Sequence, residues 1–213
     1  MKPLEGHISR AFDGAMGALH LHVVTMGSLA VDQVRLAVRS YVAWNGSEAS
    51  TVLERERTIN AYDSALDDEQ LSLLVRRQPV ASDLKYVIAF SKAVAELERV
   101  GDEAKKIARI VRFGGAPPDQ AALGDVAALG QRAELLLRQA LEAFDTLDAQ
   151  AAGHVIAADK VLDVQYDYAL ERLLDRPTDG RAQFRSAVHC AFAMKSLERV
   201  GDHARNIARL LVK

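Results

Sequence analysis

The sequence predicts an all-α fold: two tandem, repeat-related three-helix bundles, six helices in all. Three observations carry that prediction. Leu97-Glu98-Arg99-Val100-Gly101-Asp102 returns letter for letter as Leu197-Glu198-Arg199-Val200-Gly201-Asp202, and each copy continues as Ala-x-x-Ile-Ala-Arg, at Ala104 to Arg109 and Ala204 to Arg209. A hexapeptide with a matching continuation about a hundred residues on marks a duplication. Pro and Gly gather at Gly46, Pro79, Gly114 to Pro118, Gly153 and Pro177 to Gly180, which cuts the chain into six pieces. Between these points the apolar periodicity is helical, and no alternating, β-branched segment of strand length survives.

Helix 1 is expected from about Ser9 to Ala43, weakened locally by Gly14, Gly17 and Gly27. Helix 2 begins near Glu48, and Val52, Ile59, Leu66 and Leu73 fall seven apart as one apolar line toward a partner. Pro79 ends the connection, Ser82 or a neighbour starts helix 3, and Gly114-Gly115 stops it after Val111. The boundary follows, giving a first three-helix repeat over 1–114 and a second over 115–213. Helices 4, 5 and 6 are expected at about Asp119–Leu147, Ala149–Leu174 and Arg181–Val212. Val155, Leu162 and Ala169 reproduce the apolar line of helix 2 at an offset of 103.

The chain has 213 residues, 49% hydrophobic and 26% charged, which is the balance of a folded globular protein. Its formal net charge of -2 gives no electrostatic footprint for nucleic acid or an anionic membrane. The single cysteine, Cys190, excludes an internal disulfide and suits a reducing cytoplasm, with the thiol read as a buried spectator. The start of the chain lacks the apolar run of a signal peptide, and no window is read as a bilayer span, so a cytoplasmic location is expected.

The chemistry sits in the carboxylates. Residues four apart stack on one helix face, so Glu98 neighbours Asp102 and Glu198 neighbours Asp202. Both pairs lie on a flank, roughly 120 degrees from the apolar stripe of Leu97, Val100, Ala104, Ile107 and Val111. Gly101 and Gly201 sit at the edge of that stripe, where glycine costs about 1 kcal/mol against alanine, and close approach of a neighbouring helix explains them. Glu56, Asn60 and Asp63 form a shoulder on helix 2, matched by Asp159, Asp163 and Tyr166 on helix 5. Oxygen donors from two helices are therefore expected to converge in a solvent-open groove in each unit. Hard divalent or trivalent cations such as Fe, Mn, Mg or Ca suit such donors, and Zn remains possible with carboxylate and water ligands. The alternative is a solvated acidic face balanced by Arg or Lys. Lys106, four after Asp102, is expected to pair with it, whereas Asn206 is neutral at the same place in the second unit. On charge alone the second unit is the better metal site.

Other candidates are weaker. His20 and His22 diverge by about 200 degrees on a helix and make no metal pair. His203 points off the acidic line and reads as a surface residue, and His154 and His189 have no acid at useful spacing. The Glu-x-x-His of di-iron bundles is absent, which argues against redox catalysis.

Two three-helix units that each end in Leu-Glu-Arg-Val-Gly-Asp, with Arg77-Gln78-Pro79-Val80-Ala81-Ser82-Asp83-Leu84 opening helix 3 and Met26-Gly27 in helix 1, resemble the PhoU family over nearly the whole chain. The resemblance implies a non-enzymatic cytoplasmic accessory protein of the Pst phosphate transporter that helps keep the phosphate-starvation response off. It implies as partners the transporter ATPase subunit, PstB, and the sensor histidine kinase, PhoR, together with homodimerisation. It also implies metal ions on Glu98, Asp102, Glu198 and Asp202, with Asp159 and Asp163 in the second unit and Glu56 and Asp63 in the first, where Asn60 departs from the acidic pattern. Two other classes stay open: a carboxylate-bridged metal-dependent enzyme and a metal-free helical scaffold.

Overall fold

Six helices follow one another: α1 (Arg10–Val42), α2 (Gly46–Arg77), α3 (Ser82–Phe113), α4 (Gln120–Thr146), α5 (Ala149–Leu174) and α6 (Arg181–Arg209). The structure, a computed structural model, describes residues 10–77, 82–177 and 179–212, and their side chains except at 10–13, 77 and 82. No strand occurs among the described residues. The expected start of helix 1 at Ser9 and the connection through Gln78, Pro79, Val80 and Ala81 lie outside them. Helix 6 ends earlier than expected: beyond Arg209 the amides of Leu210 and Leu211 turn onto the carbonyls of Ile207 and Ala208, the tightening usual where a helix runs out of partners.

The breaks between first and second helices are made without glycine. Trp44 and Leu147, 103 residues apart, both take the left-handed conformation, with φ of 47° and 55°. The next residue caps the following helix: Asn45 Oδ1 accepts from the Ser47 amide at 3.0 Å, and Asp148 Oδ1 accepts from the amides of Gln150 and Ala151 at 2.8 and 3.0 Å. Gly46 therefore opens α2, and Gly153 lies inside α5. The cap settles where the helix starts because it satisfies amides that have no partner within the helix.

Within each half the three helices pack on one another, and the halves meet through α1 against α4 and α3 against α6. The α1/α4 contact follows a pseudo-twofold relation. A Cβ on Gly27 of α1 would lie 2.5 Å from Leu141 Cδ2 of α4, and one on Gly130 of α4 would lie 2.6 Å from Val38 of α1. Gly27 and Gly130 are related by the offset of 103, as are Val38 and Leu141. Small residues thus let the two first helices approach closely. The α3/α6 contact is antiparallel, with Glu96 reaching His203 and Glu103 reaching Arg199.

One continuous core results. Val52, Ile59, Leu66 and Leu73 are buried as one line, and so are Val155, Leu162 and Ala169. Leu97, Val100, Leu197 and Val200 are fully buried, each large side chain contributing about 1.5–3 kcal/mol of burial. Gly14–Val42 of α1 is, by length and composition, apolar enough to cross a bilayer, contrary to the sequence reading. Its inward residues, including Met16, Leu19, Val23, Met26, Ala30 and Val34, are buried in the core of the bundle. A helix that contacts three others carries apolar residues on more than one narrow stripe, which gives it the composition of a span.

Candidate functional site: two carboxylate seams

The middle and last helix of each unit are drawn together at the repeated glycine. A Cβ on Gly101 would meet Ile59 Cδ1 of α2 at 3.2 Å, and one on Gly201 would meet Leu162 Cδ2 of α5 at 2.3 Å. Ile59 and Leu162 are repeat equivalents. The acids one residue after each glycine therefore face the acids of the middle helix across a narrow seam. This seam is more enclosed than the expected groove: Glu56 is 6% and Asp159 1% exposed, while Asp102 and Asp202 stand nearer the rim.

In the first seam Lys105 Nζ donates to Glu56 Oε1 at 2.9 Å and to Asp102 Oδ1 at 3.3 Å, and Asn60 Nδ2 donates to the same Glu56 oxygen at 3.1 Å. Glu98 and Asp63 lie alongside. Burial, and after it the charges of Asp102, Asp63 and Glu56, push the Glu98 carboxyl above its ordinary range, against a smaller opposing pull from Arg99. Burial and Asp67 do the same to Asp63.

In the second seam Arg205 holds two carboxylates at once, Nη1 to Asp159 Oδ2 at 2.5 Å and Nη2 to Asp202 Oδ1 at 2.6 Å. Lys195 Nζ donates to Glu198 Oε1 at 2.8 Å and lies 5.2 Å from the centre of the Tyr166 ring. Burial raises the Asp159 carboxyl above its ordinary value; Arg205 opposes this and the charges of Asp163 and Asp202 add to it. Asp159 Oδ1 and Glu198 Oε2 are buried without a hydrogen-bond partner.

The structure thus gathers the eight predicted acids into two groups of four, by unit. The charge comparison drawn from the sequence is reversed. Lys106 pairs with Glu103 at 2.8 Å, not with Asp102, and Asn206 donates to Glu96, so both belong to the α3/α6 contact. Among the described residues the second seam contains two bonded cations, Arg205 and Lys195, and the first contains Lys105; the equivalent of Lys195 is Ala95. His203 is likewise no surface residue; its Nδ1 lies 2.7 Å from Glu96 Oε2 across the halves, with a side chain 15% exposed. Cys190 is buried as expected, and burial pushes its thiol up to about 11.

The oxygen donors have the chemistry of a hard-cation site, and the unpartnered oxygens of Asp159 and Glu198 have spare capacity. In each seam two of these carboxylates are tied to a side-chain cation. Among the described residues no group of three or more His, Cys, Asp or Glu is arranged to hold a metal ion. Lys105 and Arg205 stand where the carboxylates would share one. The sequence reading missed both, although they fall three residues after the Asp of each repeat copy and share the same sign.

Comparison with known proteins agrees with this duplicated arrangement. The PhoU domain matches twice, over residues 23–111 and 126–211. The phosphate-specific transport system accessory protein PhoU homolog of Pseudomonas aeruginosa is 36% identical over 213 residues, covering 98% of this chain and 87% of the relative. The PhoU accessory protein of Escherichia coli is 30% identical over 208 residues, covering 98% and 86%. The crystal structure of PhoU from Pseudomonas aeruginosa superposes with a TM-score of 0.89 at 35% identity, covering 94% of this chain and 97% of that one. The fold also matches the PhoU structure from Streptococcus pneumoniae, with a TM-score of 0.84 at 22% identity over 94% and 95% of the two chains. A domain found twice, relatives matched over almost their whole length and a shared six-helix architecture lead to one conclusion: the chain belongs to the PhoU family.

Proposed function

We propose that this protein is a cytoplasmic, non-enzymatic regulator of phosphate uptake, acting as an adaptor between the ATPase subunit of a phosphate transporter and the sensor kinase of the phosphate-starvation response. It works as a homodimer and keeps the response off when phosphate is plentiful. One observation carries this reading: the chain spans nearly the full length of relatives named as accessory proteins of the phosphate-specific transport system.

The test is co-purification of the tagged full chain with the transporter ATPase and the kinase from cells grown at high and at low phosphate. Recovery of both partners, with a phosphate-dependent ratio, is expected. Recovery of neither, or unchanged phosphate-starvation gene expression at high phosphate in a strain lacking this chain, would overturn the reading.

A further inference from the structure

Position 105 of α3 and position 205 of α6 are equivalent in the repeat, and both carry a cation that does the same thing. Lys105 bridges Glu56 of α2 to Asp102, and Arg205 bridges Asp159 of α5 to Asp202. In each case a buried acid of the middle helix is joined to the aspartate that follows the repeated glycine. A buried carboxylate needs a counter-charge and hydrogen-bond donors, and a shared cation supplies the charge and part of the donors, Asp159 Oδ1 keeping no partner. The two side chains meet that need in different ways: the ammonium of Lys105 as a compact charge with several donors, the guanidinium of Arg205 as a fork with one arm to each aspartate.

The same point in space cannot also hold a metal. A hard cation would draw the two carboxylates to roughly 2.0–2.6 Å from its centre. The Lys105 nitrogen already lies 2.9 and 3.3 Å from them, so an ion placed between would meet a like charge at contact distance. Arg205 blocks the second seam in the same way, its two arms at 2.5 and 2.6 Å.

We propose that Lys105 and Arg205 are resident cations that take the place of metal ions in the two acidic seams, so that this chain closes its seams with its own side chains. The inference does not rest on the adaptor role.

The test uses the full chain stripped with chelator and then titrated with MnCl2, with bound Mn measured after equilibrium dialysis and Tm followed in parallel. Wild-type protein should bind little Mn, and its Tm should move by less than about 1 °C. Lys105→Ala and Arg205→Ala should each gain stoichiometric Mn and a Tm several degrees above the chelated state. Lys105→Arg and Arg205→Lys, which keep the charge, should stay silent. Where an alanine variant does not fold in chelator, recovery of its helical circular dichroism on adding Mn supports the proposal and no recovery overturns it. Stoichiometric Mn binding by wild type that is lost in Glu56→Gln or Asp159→Asn would also overturn it. So would folded alanine variants that bind no more Mn than wild type.

Discussion

Gly201→Ala offers the sharpest test of how the seams are built. The added Cβ would lie 2.3 Å from Leu162 Cδ2 and 3.1 Å from Asp159 Oδ1, where carbon atoms prefer roughly 3.5–4.0 Å. Leu162 is fully buried and Asp159 1% exposed, so neither can swing into solvent. Overpacking of this kind costs about 1–3 kcal/mol, and an overlap of about 1 Å belongs in the upper half of that range. Alanine returns about 1 kcal/mol of helix propensity, leaving a net loss of about 1–2 kcal/mol. For a chain of this size that lowers Tm by about 2–8 °C. Gly101→Ala is the internal control, because its Cβ would meet Ile59 at 3.2 and 3.3 Å and needs a shift of only a few tenths of an ångström. There the two effects nearly cancel, and Tm should stay within about 2 °C of wild type. Thermal unfolding by far-ultraviolet circular dichroism, with urea midpoints at unchanged m, measures both. A Gly201→Ala variant as stable as wild type, or equal losses at the two positions, would refute the packing account.

Other predictions concern the charged groups. Asp159→Ala should cost about 2–3 kcal/mol in urea unfolding, because Arg205 loses its buried partner, whereas Asp202→Ala at the rim should cost about 1 kcal/mol or less; the reverse order would contradict the burial difference. Glu98, raised above its ordinary value by burial and by Asp102, Asp63 and Glu56, favours the folded state only when protonated, and this contribution is lost as pH rises through its folded pKa. Glu98→Gln should therefore raise the urea midpoint more at pH 7 than at about pH 4, and an equal shift at both would count against it. The Cys190 thiol, buried and pushed up to about 11, should resist an aromatic disulfide reagent at pH 8 in native protein and react at once in denaturant. Rapid native reaction would show that the site opens.

Much of this was legible in the residues. The hexapeptide repeat, the seven-residue lines of Val52 to Leu73 and Val155 to Ala169, and the Pro/Gly punctuation give six helices in two units, because helical periodicity and duplication are properties of spacing. The glycines of the repeat also pointed correctly to close helix approach, since an interior glycine has a cost that only packing offsets.

What spacing could not supply is which neighbour a side chain chooses once helices are in contact. Lys106 and Lys105 are adjacent in sequence, yet one turns to Glu103 at the contact between the halves and the other into the seam. The choice depends on which helix lies on each side. Asn206 and His203 likewise turn to Glu96, an acid on a helix more than a hundred residues away. The sequence by itself determined the six helices, their duplication and the rows of acids. Only the tertiary structure decided that Glu56 and Asp159 are buried and that Lys105 and Arg205 answer them, because burial and ion pairing depend on distances between helices that no periodicity encodes.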